Sequence, residues 1–492
     1  MTVTTQAHPV PSDVRELAAS LASWRAGRHP AEHDTFEVVD PARLEVVAVL
    51  PDGTAEDATS AVDAAASAFP AWSARSPRNR SEILHRAFGL MLADVDRLAA
   101  LISLENGKSL PDARAEVGYA AEFFRWFAEE AVRPEGAYGE APAGGSRTLV
   151  TTRPVGVAAL VTPWNFPAAM ATRKIGPALA AGCTVVLKPA AETPLTALAV
   201  ARILAEAGVP DGVVTVVPTT RPGEVVTTWL QDRRVRKVSF TGSTGVGRIL
   251  LAQAADRVVN SSMELGGNAP FVVAADADVE AAVAGAMVAK FRNGGQACTA
   301  ANRFYVHADV ADEFTARFGA AIEALTAGGA FDEGTTIGPL ISAAAAERVR
   351  AVVEDAVRTG ARVAHQGLSP RGAGHFYPPT LLIDVPPDAA VLRGEVFGPV
   401  APVVVWRDEG DLLQQVNDTE LGLAAYVYSG DLKWALQLAE RIEAGMVGVN
   451  RGVVSDPAAP FGGVKQSGLG REGAREGIRE FSETQYFSVE WS

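Results

Sequence analysis

Cysteine is scarce in this sequence: Cys183 and Cys298 are the only two among 492 residues. Two cysteines cannot form a disulfide framework, and neither has another cysteine or a histidine nearby at the spacing of metal ligands. The sequence therefore predicts no disulfide scaffold and no metal site. Any cysteine chemistry is expected to be that of a free thiol.

Excess positive charge and long apolar runs are also missing. The chain carries 44 Lys and Arg against 58 Asp and Glu, a net charge of −14 that disfavours nucleic acid and acidic lipid surfaces as partners. Hydrophobic residues make up 48% of the chain, yet no apolar run approaches the ~20 residues of a membrane span. The N-terminal stretch has no apolar core of a secretory signal. We expect a cytoplasmic protein with a small-molecule partner, no nucleic acid and no membrane.

What the chain does contain is an alternation of apolar strand-like runs and alanine-rich helical stretches. Such alternation predicts a parallel sheet with helices on both faces. The first set of runs covers residues 156–161, 183–187, 212–217 and 235–240. A second set begins near Leu265 and covers residues 303–307, 400–406 and 446–450. Residues 55–130 are expected to be mainly helical, and the length suggests about three domains at ~150 residues each.

Cys298 has the surroundings of a nucleophile. It follows the glycine pair Gly294 and Gly295, which permits a tight turn that brings a side chain to the mouth of a pocket. Glu264 lies 298 − 264 = 34 residues upstream, between apolar residues and a second glycine pair. Taken singly, a free cysteine is usually a small buried hydrophobe, as Cys183 is expected to be, and a lone glutamate is usually solvated.

The loop that contains Asn165 favours a catalytic role for Cys298 and Glu264 over a purely structural one. Asn165 lies in the loop Thr-Pro-Trp-Asn-Phe-Pro, directly after the apolar run that ends at Val161. Loops at the ends of strands are where α/β proteins place their chemistry. A thiol, a carboxylate and an amide donor therefore stand in segments that suit a catalytic site.

These three segments together resemble the aldehyde dehydrogenase superfamily, which shares a Pro-Trp-Asn loop, a Glu-Leu-Gly-Gly motif and a Gly-Gln-x-Cys motif in this order. Further matching segments begin at Leu187, Phe240, Glu395 and Pro460, so the resemblance covers almost the whole chain. It implies an α/β fold of two doubly wound domains with a small β oligomerisation arm. It implies, in turn, a homodimer or homotetramer.

The resemblance also implies domain boundaries. Residues 1–131 and 151–263 are expected to form the dinucleotide-binding domain. Residues 264–450 are expected to form the catalytic domain, with a return segment at 451–480. Residues 132–150 and 481–492 are expected to form the arm.

A dinucleotide site is predicted where the run at 235–240 passes into a helix, because a helix start can receive a phosphate. The turn does not match G-x-G-x-x-G, and a glycine-rich turn alone is as compatible with a purely structural role. The resemblance implies NAD or NADP as the cofactor. It places Gly242 and Ser243 at the pyrophosphate, Lys188 at the adenosine ribose, and Glu395 with Phe397 at the nicotinamide. The full predicted set is Trp164, Asn165, Lys188, Pro189, Ala190, Ala191, Arg221, Gly242, Ser243, Leu265, Glu395 and Phe397.

Two residues favour NADP over NAD as the predicted cofactor. Ala191 replaces the glutamate with which NAD-preferring relatives grip the ribose, which removes a charge that would repel a 2′-phosphate. Arg221 lies in a proline-bounded turn and offers a second positive charge beside Lys188. The alternative is that Arg221 is only a solvated turn residue.

The mechanism implied by the resemblance is covalent. Cys298 attacks an aldehyde as the thiolate, which the site must favour because a thiol of pKa ~8.5 is mostly neutral at pH 7. The Asn165 amide and the Cys298 backbone N–H stabilise the oxyanion of the thiohemiacetal. After hydride transfer, Glu264 activates water to hydrolyse the thioester. Lys174 and Glu472 match a family proton relay, with a plain salt bridge as the alternative.

Within the family, the sequence resembles the succinate-semialdehyde dehydrogenases. Arg173, Arg292 and Ser455 match residues of that subgroup, and guanidinium forks suit a carboxylate. Each arginine is otherwise a solvated or ion-paired residue. The expected substrate is thus succinate semialdehyde, with glutarate semialdehyde or another short ω-carboxy aldehyde as the alternative.

Two further functions are considered. An acylating enzyme that passes the thioester to coenzyme A is disfavoured by the presence of Glu264, the hydrolytic base. A structural member of the fold without activity is disfavoured by the intact set of Cys298, Glu264 and Asn165.

Overall fold

The computed structural model of the protein describes residues 9–24, 34–370 and 372–491. The helices are α1 Ser12–Ser23, α2 Ala55–Ser73, α3 Pro77–Ala93, α4 Val95–Asn106, α5 Leu110–Ala131, α6 Pro167–Ala181, α7 Pro194–Glu206, α8 Pro222–Gln231, α9 Thr244–Ala255, α10 Val279–Phe291, α11 Ala311–Glu323, α12 Ala343–Arg358, α13 Ala390–Arg393, α14 Glu409–Asn417, α15 Leu432–Arg441 and α16 Glu476–Arg479. The strands are β1 Thr35–Val39, β2 Val46–Pro51, β3 Gly136–Glu140, β4 Ser146–Pro154, β5 Val157–Val161, β6 Thr184–Lys188, β7 Val214–Val216, β8 Val235–Thr241, β9 Asn260–Glu264, β10 Ala269–Val273, β11 Ala301–His307, β12 Arg362–Gln366, β13 Thr380–Ile383, β14 Val400–Trp406, β15 Leu421–Gly422, β16 Ala424–Tyr428, β17 Met446–Val449, β18 Val464–Lys465, β19 Gly468–Leu469 and β20 Ser482–Glu490.

The first large sheet has the strand order β19-β9-β8-β5-β6-β7. Strand β5 pairs in parallel with β6 on one side and with β8 on the other, so the strand order reverses at β5. The residues of β5 and β6 are all buried, as expected for parallel strands covered by helices on both faces. A crevice forms beyond the carboxyl ends of strands at such a reversal, and the Asn165 loop follows β5 there.

The second large sheet has the order β12-β13-β14-β11-β10-β16-β17 and is parallel except for β12. Its strands β11, β14 and β17 contain the runs predicted at 303–307, 400–406 and most of that at 446–450. Strand β9 ends the first sheet at Glu264, and β10 begins the second at Ala269. The predicted α/β class with two doubly wound domains is confirmed.

Helices α5 and α6 pack together beside the first sheet and support the loop that carries Asn165. Phe123, Phe124 and Phe127 on α5 are buried in the same core cluster as Met170 and Ile175 on α6. These three phenylalanines of α5 therefore belong to the core.

Strands β3, β4 and β20 form a separate antiparallel sheet, in which β20 pairs with β4 along its whole length. Strand β4 continues to Pro154, beyond the arm boundary predicted at residue 150. Tyr138 and Tyr486 are 66% and 57% exposed on this sheet. The predicted domains cover residues 1–492, of which residues 1–8, 25–33, 371 and 492 lie outside the described residues. In the part of the chain that the structure describes, no helix is both long and apolar enough to cross a membrane.

Candidate active site

Two cavities meet at Cys298. The larger has a volume of about 830 Å³ and the smaller about 480 Å³, and both are lined by Cys298 and Met170. A side chain that borders both cavities can react with a molecule in one while it faces a molecule in the other. This position fits the prediction that Cys298 is the reactive thiol.

The turn before Cys298 has the backbone that its sequence predicts. Gly294 and Gly295 have φ values of 63° and 74°, and Asn293 is left-handed as well at 52°. A Cβ on Gly295 would lie 2.3 Å from the carbonyl oxygen of Gly398, so glycine is required there for space as well as for conformation. The turn leaves Cys298 half-buried at the junction of the cavities.

The protein groups around Cys298 do not by themselves favour the thiolate. Burial raises the pKa of Cys298 to about 12, with Arg173 and Arg292 lowering it and Glu395 and Glu264 raising it. The expectation that the site favours the anion therefore needs a further positive charge, which these side chains do not provide.

Glu264 ends β9 in a nearly closed position and is in the lining of neither cavity. It is 3% exposed, and neither carboxyl oxygen has a hydrogen-bond partner in the described part of the chain. Burial raises its pKa well above the usual range, and the charge of Glu472 adds to that rise. A carboxyl group with two free oxygens and a raised pKa has the properties of a general base.

Glu264 and Cys298 are brought together by their backbones. A Cβ on Gly267 would lie 2.3 Å from the carbonyl oxygen of Cys298, so only glycine allows the two segments to pack this closely. The 264–267 segment thus lies directly against the nucleophile segment.

Asn165 lies in the loop between β5 and α6 and is 5% exposed. Its Nδ2 donates to the carbonyl of Gln296 at 3.1 Å, which leaves the second Nδ2 hydrogen without a described partner. Asn165 and Cys298 line the larger cavity together. An amide donor beside the thiol matches the predicted oxyanion role.

Glu472 is held by two cations. Its Oε1 accepts from Lys174 Nζ at 2.5 Å, and its Oε2 lies 2.7 Å from Arg173 Nε. Burial alone would raise its pKa, but the charges of Lys174 and Arg173 outweigh it and hold the pKa below the usual value. The salt bridge between Lys174 and Glu472 is present. A relay role for it stays a prediction, supported by the proximity of Glu472 to Glu264.

The three predicted substrate residues line the smaller cavity with Cys298. Arg173 is almost fully buried, with its guanidinium 4.1 Å from the ring centre of Phe461, whereas Arg292 is half-buried. Ser455 lies in the same lining. Arg173 is already paired with Glu472, a partner that local sequence does not reveal.

The smaller cavity also contains residues that the sequence does not predict. Tyr119 of α5 is hydrogen-bonded to Ser455, and Phe461 of the return segment lies against Arg173. Asp112 and Glu116 of α5 complete the lining. An i, i+4, i+7 pattern along α5 would place Asp112, Glu116 and Tyr119 on one face, which is the only signal that could have found them.

The larger cavity is lined by the residues predicted for the pyrophosphate and nicotinamide parts of a dinucleotide. Ser243 caps α9, its side chain accepting from Val246 N, and the helix start faces a cavity that Gly242 and Ser243 line. Trp164 and Phe397 pack edge to face with ring centres 5.4 Å apart. The predicted cofactor residues in this lining are Trp164, Asn165, Gly242, Ser243, Leu265, Glu395 and Phe397.

The remaining predicted cofactor residues, Lys188, Pro189, Ala190, Ala191 and Arg221, are not in this lining. Lys188 ends β6, and burial lowers its pKa to about 8. Arg221 is 39% exposed and donates to the Asp52 carbonyl at 3.2 Å, with the carboxylate of Glu224 3.8 Å away. Arg221 is therefore an ion-paired turn residue, and its contact with a 2′-phosphate stays a prediction.

Comparison with known proteins agrees with this geometry. The model of the aldehyde dehydrogenase family matches residues 28–487. The succinate-semialdehyde dehydrogenase of Paenarthrobacter nicotinovorans is 53% identical over 90% of this chain and 99% of its own. The glutarate-semialdehyde dehydrogenase of Pseudomonas putida KT2440 is 48% identical over 92% of this chain and 94% of its own. A solved NADP-dependent enzyme of E. coli is 46% identical, with a TM-score of 0.91 over 93% of this chain and 95% of that one.

Proposed function

The chain belongs to the aldehyde dehydrogenase family, and from that premise we propose that it oxidises succinate semialdehyde to succinate with NADP as the preferred cofactor. One observation carries the substrate: Arg173, Arg292 and Ser455 line a single cavity with Cys298. Two guanidinium groups and a hydroxyl suit a distal carboxylate. The aldehyde end of a short semialdehyde is then directed at the thiol.

The first half of the reaction forms a bond to Cys298. The Cys298 sulfur attacks the aldehyde carbon, and the carbonyl oxygen becomes an oxyanion that the Asn165 amide and the Cys298 backbone N–H stabilise. The oxyanion then collapses to a carbonyl as its carbon loses a hydride, which leaves a thioester on Cys298. A bound nicotinamide dinucleotide would supply the hydride acceptor and a positive ring charge. The residues that would hold it are those lining the larger cavity.

The second half releases the acid. Glu264 accepts a proton from water as the water oxygen attacks the thioester carbonyl carbon. The bond between carbon and the Cys298 sulfur then breaks, and the thiolate is regenerated. Both oxygens of Glu264 lack a hydrogen-bond partner in the described part of the chain, so either can accept from that water.

The substrate proposal is tested with succinate semialdehyde and butanal, an aldehyde of similar length without the charge. We expect a much higher kcat/KM for the semialdehyde, because each charge-assisted hydrogen bond contributes about 1.5–3 kcal/mol. Replacing Arg292 with leucine should raise KM for the semialdehyde and change butanal oxidation little. Arg173→Leu should do the same, with an added loss on both aldehydes because Arg173 also holds Glu472. Equal wild-type efficiency on the two aldehydes would contradict the proposal.

A second substrate has specific support. The relative from Pseudomonas putida is named a glutarate-semialdehyde dehydrogenase and is 48% identical to this chain. The same arginines would hold the carboxylate of the longer semialdehyde. Relative kcat/KM on the two semialdehydes separates the candidates, and a higher value for glutarate semialdehyde would replace the first proposal with the second.

Cofactor preference is a separate prediction. We expect a higher kcat/KM for NADP than for NAD, because Ala191 brings no negative charge and Lys188 is a buried cation. Arg221→Leu should weaken NADP use and leave NAD use unchanged if Arg221 leaves Asp52 to contact the 2′-phosphate. A preference for NAD of about tenfold or more, equal to ~1.4 kcal/mol, would overturn the choice of NADP.

The pH dependence follows from Glu264. Burial raises the pKa of Glu264, so the carboxylate that acts as base forms at a higher pH than in an ordinary glutamate. We therefore expect thioester hydrolysis to accelerate as pH rises above the range in which an ordinary glutamate titrates. The cofactor must be saturating, because Lys188, whose pKa is about 8, loses charge as pH rises. A hydrolysis rate that falls with rising pH would show that Glu264 does not act as this base.

The proposal includes assembly into a homodimer or homotetramer and a cytoplasmic location. The exposed aromatic residues Tyr138 and Tyr486 on the sheet of β3, β4 and β20 support its assignment as an oligomerisation arm in a homodimer or homotetramer. Both cysteines are free, as is usual in the reducing cytoplasm.

A further inference from the structure

A buried ion pair lies behind the Asn165 loop. Lys108, in the connection between α4 and α5, and Glu116 of α5 are 2.5 Å apart, and both side chains are fully buried. Glu116 also lines the smaller cavity, yet the pair includes neither the proposed nucleophile nor the proposed base. Burying two charges is expensive, and replacing such a pair with apolar side chains is often neutral or stabilising. Its presence here calls for a role other than stability.

The contacts of Lys108 point at the Asn165 loop. Lys108 Nζ donates to the Asn165 carbonyl oxygen at 2.6 Å and lies 4.1 Å from the ring centre of Phe166, the next residue. A charged donor to a carbonyl is stronger than a neutral one. Lys108 thus fixes the backbone of Asn165, which lines the larger cavity together with Cys298.

The contacts of Glu116 fix the other end of the same loop. Its Oε2 holds Lys108, and its Oε1 accepts from the backbone N–H groups of Ala168 and Ala169 at 2.8 and 3.3 Å. These are in the first turn of α6, where N–H groups lack partners within the helix. One carboxylate therefore joins the start of α6 to the cation that holds Asn165.

A third contact connects the loop to the nucleophile turn. Asn293 Nδ2 donates both to the Asn165 carbonyl at 2.8 Å and to the Gln296 carbonyl at 3.2 Å. The Asn165 side chain donates to the same Gln296 carbonyl. The Asn165 carbonyl is consequently shared by Lys108 and Asn293, and the position of the Asn165 amide relative to Cys298 depends on both.

We propose that Lys108 and Glu116 are positioning residues for the oxyanion: they hold Asn165 so that its free amide hydrogen meets the charge that develops when Cys298 attacks the aldehyde. The proposal rests on the covalent mechanism given above. It assigns a function to a buried pair that contacts neither the reacting sulfur nor the predicted base. Donors that are fixed in advance stabilise an oxyanion without reorganising during the reaction.

The test removes the hydrogen bond from Lys108 to the Asn165 carbonyl and leaves the net charge of the pair unchanged. Lys108→Met with Glu116→Gln deletes the donor to Asn165, while the side-chain oxygen of the introduced glutamine can still accept from the start of α6. We expect kcat/KM to fall by up to about 100-fold, the effect of a misplacement of about 1 Å. Should this variant not fold, Lys108→Gln replaces the charged donor to the Asn165 carbonyl with a shorter neutral one, and kcat/KM should again fall.

A double-mutant cycle separates positioning from general damage. Asn165→Ala alone is expected to lower the rate by roughly 10²–10³-fold. If the pair acts through Asn165, adding its substitutions to Asn165→Ala should change kcat/KM by no more than about twofold. Losses that multiply across the two sites would overturn the proposal, as would an unchanged kcat/KM in the paired variant.

A second readout does not involve an oxyanion. Alkylation of Cys298 by iodoacetamide displaces iodide and builds no negative oxygen, so its rate should be the same in the wild type and the paired variant. Slower alkylation would mean that the pocket itself has changed and would contradict the proposal. Using both succinate semialdehyde and butanal keeps the test independent of the substrate assignment, because Asn165 serves any aldehyde.

Arg80 provides a matched control. It is a buried cation that donates to the Ala180 carbonyl at 3.0 Å, at the opposite end of α6 from Asn165. Arg80→Met should lower the thermal unfolding midpoint and leave kcat/KM nearly unchanged. A loss of kcat/KM in Arg80→Met that also disappears in the Asn165→Ala background would show that any damage to α6 produces the effect, and would overturn the specific role of the pair.

Discussion

Replacing Cys298 with alanine is expected to lower the rate of aldehyde oxidation by roughly 10⁶-fold, the size of effect that follows loss of a covalent nucleophile. No other thiol can take its place, because Cys183 is completely buried and donates to the Phe481 carbonyl. Cofactor binding should remain, since Cys298 is one of many residues that line the larger cavity. The measurement is the absorbance of reduced cofactor during turnover, with cofactor affinity taken from quenching of tryptophan fluorescence.

Cys183→Ala is the control for that experiment. It removes the other thiol from a site that contacts neither cavity, and it should leave turnover near the wild-type value. Near-normal turnover in Cys298→Ala would end the covalent mechanism. Equal losses in the two variants would show that removal of either thiol damages the fold.

Replacing Glu264 with glutamine is expected to produce a burst of reduced cofactor followed by turnover that is about 10²–10⁴-fold slower than in the wild type. The first half of the reaction needs Cys298 and Asn165, both of which the substitution leaves in place. Hydrolysis needs a base, and glutamine cannot accept a proton. Rapid mixing with absorbance detection resolves the two phases.

Glu105→Gln makes the same substitution at another buried glutamate and serves as the control for Glu264→Gln. Glu105 is also fully buried, burial raises its pKa to about 8, and it accepts from the Leu195 and Thr196 N–H groups at 2.8 Å. Its substitution should not produce a burst. A slow Glu264→Gln variant without a burst would assign Glu264 to a step before acylation.

The sequence predicts the parts of this protein whose signals are local. Strands β5 and β6 are continuous apolar runs because helices cover both of their faces, and such runs are visible in a single sequence. Cys298, Glu264 and Asn165 stand beside glycines and prolines that a tight turn or a close approach requires. The φ values of Gly294 and Gly295 and the contact of Gly267 with the Cys298 carbonyl show why those residues are glycines.

The missed residues depend on packing between distant segments. In the sequence, nothing distinguishes Lys108 and Glu116 from ordinary exposed charged residues. In the structure, both side chains are fully buried. The pairing of Arg173 with Glu472 joins residues that are remote in sequence and changes the charge that Arg173 presents to a substrate. Charged residues are usually exposed, so burial of a charge cannot be predicted from composition or spacing.

The central claim is that an aldehyde becomes a thioester of Cys298. The most direct test mixes the Glu264→Gln variant with succinate semialdehyde and NADP, stops the reaction with acid, and maps the modified peptide by mass spectrometry. The account predicts a succinyl group on the peptide that contains Cys298, formed only when cofactor is present. Absence of the adduct after a complete burst of reduced cofactor, or an adduct on another residue, would contradict it.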